Sequence, residues 1–432
     1  MVEGFFVRGG ERIQGETEVP AAKNAVLPML AAAILPTGQV TLCRCPDIRD
    51  VNAMIGILNS LGCACRWQDK DLLIRSDGMC RSELPEDLGR QIRSSIFLLG
   101  PILARMGQAT VSYPGGCEIG IRPIDLHLKG LRALGVHIID EGGKLYCDGR
   151  RMRPGNVYFD YPSVGATENV MLAAALLPGV TVIHNAAREP EIVDLQGFVN
   201  RMGGCVAGAG TQVIEVRGVK ELRGAAYTPI PDRIAAGTLL CAGAVTGGEV
   251  TLRKAGLYDL LPVREKLEEM GCRVWGEEDR VHLKAPNRLK AFSQLQTQPH
   301  PGFPTDMQSP MLAAACGAEG TSAIIENVFE NRFGQVPDLC RMGADIRVSG
   351  RMAVVRGVEE MHGARVQARD LRGGAALVLA ALFAQGDTVI ENAELIDRGY
   401  PHLESILSRM GARMRRINVN EQAEVYDGTA TL

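Results

Sequence analysis

One of the twelve cysteines lies in a loop whose composition suits chemistry. Cys117 follows Gly115 and Gly116 and precedes Gly120 and Arg122, so the backbone bends freely around the thiol. Free backbone N–H groups in such a loop can form a cradle for an anion. A nearby guanidinium favours the thiolate and also binds phosphate or carboxylate. The spacing therefore predicts a nucleophile or proton donor at Cys117, with a small structural cysteine as the alternative.

A second candidate is an aspartate in a loop that prolines stiffen. Asp306 follows Pro301 and Pro304 within the segment Phe303-Pro304-Thr305-Asp306-Met307-Gln308. A carboxylate held in one place is suited to accept a proton as a general base. The alternative is an ordinary N-capping aspartate at the start of a helix.

Several basic residues occupy contexts in which packing does not require a charge; they are Lys23, Arg93, Arg122, Arg332, Arg372 and Arg398. Four of them have an ordinary alternative: Lys23 as a solvated lysine at a helix start, Arg93 as a surface arginine, and Arg332 and Arg372 as surface ion pairs with the acid two positions before them, as in Glu330-Asn331-Arg332 and Asp370-Leu371-Arg372. With the carboxylate of Asp306 and the thiol of Cys117, the candidate anion binders predict a small, multiply anionic substrate that is handled without a metal; they are Lys23, Arg122, Arg332, Arg372 and Arg398.

Composition excludes several classes of protein. The chain has 432 residues, 46% of them hydrophobic, and a net charge of −3, which indicates two or three folded domains and neither nucleic acid nor an anionic membrane as a partner. The seven histidines are scattered, and neither a CxxC nor an HExxH motif occurs, so no metal site is predicted. No phosphate-loop motif and no complete dinucleotide fingerprint occur, so no cofactor is predicted. Without a secretory signal or an apolar run long enough to span a bilayer, we expect a cytoplasmic protein with reduced thiols.

The chain contains six copies of one pattern: a glycine, a short β-branched or apolar strand, an amphipathic helix, and a closing Leu-Gly or Met-Gly. The copies span 38–62, 107–135, 179–203, 248–271, 320–343 and 386–411. In the first copy Val51, Met54, Leu58 and Leu61 recur at helical spacing, and Gly62 then suits a left-handed helix end. Alanine-rich runs at 169–177 and 235–244 predict buried helices. The pattern predicts α/β layers, with three copies in each of two domains and a cleft between them.

These segments together resemble a known family. The most specific are Ala22-Lys23-Asn24-Ala25, Pro114-Gly115-Gly116-Cys117, Arg122-Pro123-Ile124-Asp125-Leu126-His127, Ser163-Val164-Gly165-Ala166-Thr167, Pro231-Asp232-Arg233-Ile234, Phe329-Glu330-Asn331-Arg332-Phe333 and Ile396-Asp397-Arg398-Gly399-Tyr400. In this order, over nearly the whole chain, they resemble the UDP-N-acetylglucosamine 1-carboxyvinyltransferases, which are enolpyruvyl transferases of the EPSP synthase superfamily.

The resemblance implies a fold and a division of the chain. The fold is the inside-out α/β barrel, with two domains that each contain three βαβαββ units around a pseudo-threefold axis and have helices inside. A catalytic domain would comprise residues 1–22 with 231–432, and residues 23–230 would form a second domain that carries the Cys117 loop as a lid.

The resemblance also implies the reaction. The enolpyruvyl group of phosphoenolpyruvate would pass to the 3-hydroxyl of UDP-N-acetylglucosamine with release of phosphate, by addition and then elimination, as the first committed step of peptidoglycan synthesis for the cell wall. Asp306 would accept the hydroxyl proton, and Cys117 would protonate the methylene carbon and be alkylated by fosfomycin. Lys23, Arg122 and Arg398 would hold phosphate and carboxylate, while Asp370 and Arg372 would assist proton movement and closure.

Further positions are implied to bind substrate, mainly the nucleotide sugar: Asn24, Arg93, Arg122, Pro123, Ile124, Asp125, Leu126, Tyr161, Pro162, Ser163, Val164, Asp306, Val328 and Arg332. Two other functions stay open. The sister enzyme would transfer the same group to shikimate 3-phosphate, and a non-catalytic paralogue would only bind the UDP-sugar. The sequence does not identify a protein partner.

Overall fold

The computed structural model describes residues 3–115 and 124–419. Its strands are β1 (Glu3–Arg8), β2 (Gln14–Glu18), β3 (Gln39–Leu42), β4 (Ala64–Gln68), β5 (Asp71–Arg75), β6 (Gln108–Ser112), β7 (His137–Glu141), β8 (Lys144–Asp148), β9 (Asn156–Tyr158), β10 (Gly179–His184), β11 (Cys205–Ala207), β12 (Val213–Gly218), β13 (Ala226–Tyr227), β14 (Glu249–Arg253), β15 (Arg273–Glu277), β16 (Arg280–Lys284), β17 (Gln294–Gln296), β18 (Thr321–Ile325), β19 (Asp345–Ser349), β20 (Met352–Arg356), β21 (Arg365–Gln367), β22 (Asp387–Glu391) and β23 (Arg413–Asn418).

The α-helices are α1 (Lys23–Ala32), α2 (Arg49–Ser60), α3 (Glu86–Gly89), α4 (Leu99–Met106), α5 (Asp125–Ala133), α6 (Val164–Ala174), α7 (Pro190–Arg201), α8 (Arg233–Val245), α9 (Leu261–Glu269), α10 (Gln308–Cys316), α11 (Val336–Arg341), α12 (Leu371–Phe383), α13 (Ala393–Ile396) and α14 (Leu403–Arg409). Three 3₁₀ helices span Arg93–Leu98, Tyr258–Leu260 and Thr305–Met307. No helix in the described part of the chain is long and apolar enough to cross a membrane.

The described residues divide into two compact units. Unit one contains residues 3–19 and 231–419, and unit two contains residues 20–115 and 124–230. Each unit has three small sheets, so each of the six sheets corresponds to one copy of the repeated pattern. The domain boundaries inferred from the resemblance, after residues 22 and 230, stay a prediction.

Unit one begins and ends in the same sheet. Its sheets have the strand orders β15-β16-β14-β2, β17-β18-β20-β19 and β21-β22-β1-β23. In the third sheet the N-terminal strand β1 pairs antiparallel with both β22 and β23, which are the last two strands in the described residues. The sixth repeat is therefore completed by residues from the other end of the sequence, and this pairing ties the first residues of the chain to residues 387–418.

Three buried helices form the centre of unit one. Helices α8, α10 and α12 contact one another, and every residue of α10 is buried. Helices that are apolar on all sides belong in a core rather than at a surface. The strands around them alternate, as in β14, where Val250 and Leu252 are buried and the ends of the strand are exposed. Sheets therefore lie outside and helices inside, as the resemblance implied.

Unit two repeats this arrangement. Its sheets have the orders β13-β3-β5-β4, β6-β8-β7 and β11-β12-β10-β9. Helix α6 packs against α4 and the 3₁₀ helix Arg93–Leu98, and this 3₁₀ helix contacts α1. The prediction of a buried helix at 169–177 is confirmed, although α6 ends at Ala174. The second such helix, predicted at 235–244, is confirmed as part of α8.

The closing glycines confirm the period of the repeat. All six have positive φ, from 89° to 102°, a conformation that other residues rarely adopt; they are Gly62, Gly135, Gly203, Gly271, Gly343 and Gly411. In the first copy α2 ends at Ser60, and Gly62 follows with a φ of 99°. Each glycine therefore turns the chain from a helix into the next strand of its sheet.

Candidate functional site

In unit one, two arginines converge on one aspartate. An Nη2 atom of Arg332 donates to Oδ1 of Asp306 at 2.7 Å. Arg372 donates to Oδ2 through Nη2 at 3.0 Å and through Nε at 3.3 Å. The two arginine side chains are 3% exposed, while that of Asp306 is 25% exposed. The carboxylate is thus held by buried cations and still reaches solvent.

The local backbone explains why Asp306 is available for these contacts. It lies within the 3₁₀ helix Thr305–Met307, whose N-cap is Pro304, and the N-cap of the following helix α10 is Met307. The alternative of an N-capping aspartate is therefore wrong. Glu326 also holds this loop in place. It is a fully buried carboxylate that accepts hydrogen bonds from the Thr297 and Thr305 hydroxyls at 2.9 Å each.

The surface ion pairs that the sequence offered as alternatives are also wrong. Arg332 does not pair with Glu330, which instead accepts a hydrogen bond from Arg351 at 2.7 Å on the exposed surface. The carboxylate of Asp370 caps α12, accepting from the backbone N–H groups of Arg372 and Gly373 at 2.9 Å each. Asp370 thus acts on the backbone of α12, while the guanidinium of Arg372 binds Asp306.

The cluster holds an ionised carboxylate between two guanidinium groups. Burial would raise the pKa of Asp306, but the charges and hydrogen bonds of Arg372 and Arg332 hold that pKa well below its usual range, so the carboxylate is ionised. The carboxylate of Asp306 therefore faces two guanidinium groups, and the charge of Asp232 also acts on Arg372. In addition, the buried Arg332 Nε and Arg372 Nη1 have no hydrogen-bond partner among the described residues. Buried donors without partners are costly, so the cluster is suited to bind an anion.

The tyrosine of the Arg398 segment supports the same cluster. The Tyr400 ring lies 5.2 Å from the Arg372 guanidinium carbon, and its hydroxyl is 2.9 Å from the Thr238 hydroxyl. Burial raises the pKa of Tyr400, although the charge of Arg372 opposes that rise. Arg398 lies two residues before this anchor and is half-buried. Val328, another predicted contact, donates its backbone N–H to Glu326 at 2.8 Å.

In unit two, the predicted residue Lys23 forms a buried ion pair. Lys23 is the first residue of α1, and its Nζ lies 2.7 Å from Oδ2 of Asp50. The side chains are 11% and 5% exposed. The alternative of a solvated lysine is therefore wrong. Asp50 compensates the buried charge, so Lys23 can be retained in the interior at the start of a helix.

The other predicted residues of unit two occupy helix starts. Ser163 is the N-cap of α6 and accepts from the Ala166 N–H at 3.4 Å, while Val164 begins that helix. Arg93 begins the 3₁₀ helix Arg93–Leu98 and is half-buried, which fits both a surface arginine and a binding residue. Of the remaining predicted residues, Ile124 is buried, and Asn24, Leu126 and Pro162 are half-buried. Asp125 and Tyr161 are exposed. Cys117, Arg122 and Pro123 lie outside the described residues.

Sequence reasoning missed the acids that hold the candidates in place. Asp50 and Glu326 are buried and make the contacts given above, yet neither belongs to a recognisable local motif. Asn169 was also missed: its amide bonds the Ile96 carbonyl at 2.8 Å and lies 3.0 Å from His127 Nδ1. A charged or amide residue inside an apolar helical run, as at Asn169, is the one signal that could have indicated a buried partner.

Comparison with known proteins decides the family. The family model described as EPSP synthase (3-phosphoshikimate 1-carboxyvinyltransferase) matches residues 7–407. The chain belongs to this family. Among curated relatives, UDP-N-acetylglucosamine 1-carboxyvinyltransferase 2 of Caldanaerobacter subterraneus subsp. tengcongensis is 51% identical over 413 residues, covering 96% of this chain and 99% of the relative. UDP-N-acetylglucosamine 1-carboxyvinyltransferase 1 of Symbiobacterium thermophilum is 51% identical over 421 residues, covering 96% and 95%.

Solved structures agree with this placement. The enolpyruvyl transferase NikO from Streptomyces tendae superposes with a TM-score of 0.87 at 25% identity, over 96% of this chain and 99% of that one. EPSP synthase from Acinetobacter baumannii superposes with a TM-score of 0.75 at 18% identity, over 97% and 100%, which shows the common fold. The family resemblance and fold class predicted from the sequence are confirmed.

Proposed function

We propose that this enzyme transfers the enolpyruvyl group of phosphoenolpyruvate to the 3-hydroxyl of UDP-N-acetylglucosamine and releases phosphate. The relatives that are 51% identical over almost their full length support this acceptor. The observation that carries the chemistry is the Asp306 cluster, which combines an ionised carboxylate with two buried guanidinium groups that keep donors without a partner among the described residues. Both substrates are anionic, and fixed positive groups with donors to spare favour their binding.

The addition step needs a base and an acid. Asp306 accepts the proton of the sugar hydroxyl while the hydroxyl oxygen bonds to the central carbon of phosphoenolpyruvate. The Cys117 thiol donates its proton to the methylene carbon, which becomes a methyl group. In the elimination step the carbon–oxygen bond to phosphate breaks, the Cys117 thiolate takes back a methyl proton as the double bond is restored, and the proton held by Asp306 leaves with phosphate. Lys23, Arg122 and Arg398 are proposed to hold the phosphate and carboxylate groups.

The arginine pair defines when Asp306 can act. A carboxylate whose pKa is held low by two guanidinium groups is ionised but weakly basic. We propose that substrate anions take up donors of Arg332 and Arg372, which weakens their hold on Asp306 and raises its pKa. Proton transfer then follows binding of both substrates, and without the acceptor little unproductive chemistry on phosphoenolpyruvate occurs.

Two alternative functions differ from this proposal. The family model carries the name of the shikimate enzyme, so shikimate 3-phosphate is the second candidate acceptor. The structures named EPSP synthase are only 18–19% identical and support the fold, not this acceptor. A binding protein without turnover is disfavoured because Cys117, Asp306 and Lys23 are all present.

The test is phosphate release from phosphoenolpyruvate by the purified protein, run in parallel with the two acceptors. Release with UDP-N-acetylglucosamine alone is the expected result. Release with shikimate 3-phosphate alone would overturn the acceptor, and no release with either would indicate a binding protein. Asp306→Asn is the control for the catalytic origin of the phosphate, because the amide keeps the shape of the side chain but cannot accept the proton.

A further inference from the structure

The segment that carries Arg398 is a tight turn. After α13, the N–H of Asp397 donates to the Ala393 carbonyl at 3.1 Å, and that of Gly399 donates to the Ile396 carbonyl at 3.2 Å. These backbone bonds fix the course of the turn but leave the side chain of Arg398 on a short loop rather than on a helix or strand. Precise placement of that side chain therefore depends on what holds the turn to the rest of unit one.

One side of the turn is held by Tyr400, as described above. Its side chain is 2% exposed and contacts Thr238 and Arg372. Tyr400 therefore ties the end of the turn to the cluster around Asp306.

The other side of the turn is held by Arg416, on β23. Its guanidinium donates to both oxygens of Asp397, through Nη1 at 2.9 Å and Nη2 at 2.7 Å. It also donates to Glu3 at 2.9 Å, and its carbon lies 4.9 Å from the ring centre of the fully buried Phe5. A bidentate pair between arginine and carboxylate fixes orientation as well as distance.

The charges around Arg416 indicate that it is not itself a substrate ligand. Asp397, Glu3 and Glu404 all lie within 3.5 Å of its guanidinium. Three carboxylates around one cation leave no excess positive charge for an anion. This distinguishes Arg416 from Arg332 and Arg372, which share a single carboxylate.

We infer that Arg416 is a positioning residue for Arg398: its bidentate bond to Asp397 holds the turn from the side opposite Tyr400, so that Arg398 can bind the phosphate or carboxylate of phosphoenolpyruvate. This inference rests on the role given to Arg398 under the proposed function. The contacts connect β1 and β23 to Asp397, and Asp397 is followed directly by Arg398.

The test compares Arg416→Met with Arg8→Met. Arg8 makes a similar bidentate pair in the same sheet, with Asp387 at 2.6 and 2.9 Å, but Asp387 is the first residue of β22 and does not belong to the turn. Hydrogen exchange of the peptide covering 393–400 is measured in both variants. Steady-state kinetics are then measured with each substrate varied in turn. Arg416→Lys is a third variant, because lysine keeps the charge but cannot form the bidentate pair.

We expect faster exchange at 393–400 in Arg416→Met only. In that variant kcat/KM for phosphoenolpyruvate should fall about 10- to 100-fold, the range expected when a reacting group is displaced by about 1 Å. The KM for UDP-N-acetylglucosamine should stay within about two-fold of the wild-type value, and Arg416→Lys should recover only part of the loss. Arg8→Met should match the wild type in both readouts.

Three results would overturn the inference: unchanged exchange at 393–400, equal losses for the two substrates, or an equal effect of Arg8→Met. Failure of the proposed function would be seen differently, as absence of phosphate release in the wild type. In that case the inference is tested by hydrogen exchange at 393–400 and by equilibrium binding of phosphoenolpyruvate. If Arg416 positions Arg398, Arg416→Met and Arg398→Met must weaken that binding to a similar degree.

Discussion

Replacing Asp306 by alanine should destabilise unit one as well as stop turnover. The change leaves Arg332 and Arg372, each 3% exposed, without the carboxylate that they share. Removing one partner of a buried ion pair costs about 3–5 kcal/mol. Since the side chain of Asp306 is 25% exposed, the lower end applies, about 3 kcal/mol. For a unit of about 200 residues this corresponds to a loss of about 6–12 °C in Tm.

The two tryptophans allow unit one to be followed by itself. Trp275 lies on β15 in unit one and Trp67 lies on β4 in unit two. In a Trp67→Phe background, urea unfolding followed by fluorescence reports on unit one. The matched control is Glu330→Ala, which breaks an ion pair of the same 2.7 Å length whose side chains are 44% and 50% exposed. Its cost should be below about 1 kcal/mol, because water screens the pair.

A double-mutant cycle separates the ion pair from other effects. Arg332→Met alone loses a charge-assisted hydrogen bond and should cost about 2 kcal/mol. Asp306→Ala with Arg332→Met should cost at least about 1 kcal/mol less than the sum, because the second change removes an unpaired buried charge. Additivity within about 0.5 kcal/mol would refute the reasoning, since it would mean that the two residues do not interact in solution.

The same cluster fixes the direction of a pH effect. The pKa of Asp306 is held below its usual range in the folded state, so its contribution to stability is complete above the unfolded pKa of about 4 and is lost as the pH falls toward the folded value. The stability difference between the wild type and Asp306→Asn should therefore be constant above about pH 5 and shrink below about pH 4. A difference that grows on acidification would contradict the assignment.

Three further predictions concern other residues. Cys117→Ser should reduce phosphate release at least about 100-fold while calorimetric affinity for UDP-N-acetylglucosamine persists; full activity would remove Cys117 from the mechanism. Asp50→Asn should raise the KM for phosphoenolpyruvate and destabilise unit two, followed by Trp67 fluorescence, because Lys23 loses its carboxylate at 2.7 Å; an unchanged KM would argue against the role of Lys23. Asp370→Asn and Asp232→Asn should both keep their Tm, since asparagine also caps helices, but only Asp370→Asn should lose turnover; equal turnover would leave Asp370 as a cap alone.

The sequence predicts the repeats because they are local. Each copy is defined by a glycine, a strand and an amphipathic helix within a few tens of residues, and the turn at Gly62 follows from backbone sterics alone. The burial of α8 likewise follows from its alanine-rich composition, because an apolar helix without a polar face must lie in a core. Such features depend on neighbours in the chain and need no knowledge of the tertiary structure.

The pairing within the site could not be predicted in this way. Arg332 and Arg372 are 26 and 66 residues away in sequence from the carboxylate that they bind. The acids two positions before them suggested local pairs, but those acids bond an exposed arginine and a helix end instead. Asp50 was missed for the same reason, since its contact with Lys23 is set by the packing of α1 against α2.

The three central helices of unit one show how one repeat was adapted for chemistry. Asp232 and Asp370 stand immediately before α8 and α12, and each accepts two backbone N–H groups as an N-cap. Asp306 stands at the comparable place before α10, but a 3₁₀ turn precedes that helix and removes the aspartate from the capping position. The partners of a cap are backbone groups that cannot leave without unwinding the helix. The partners of Asp306 are side chains, which can exchange it for a substrate anion. The aspartate whose helix begins late is therefore the one whose contacts a substrate anion can replace.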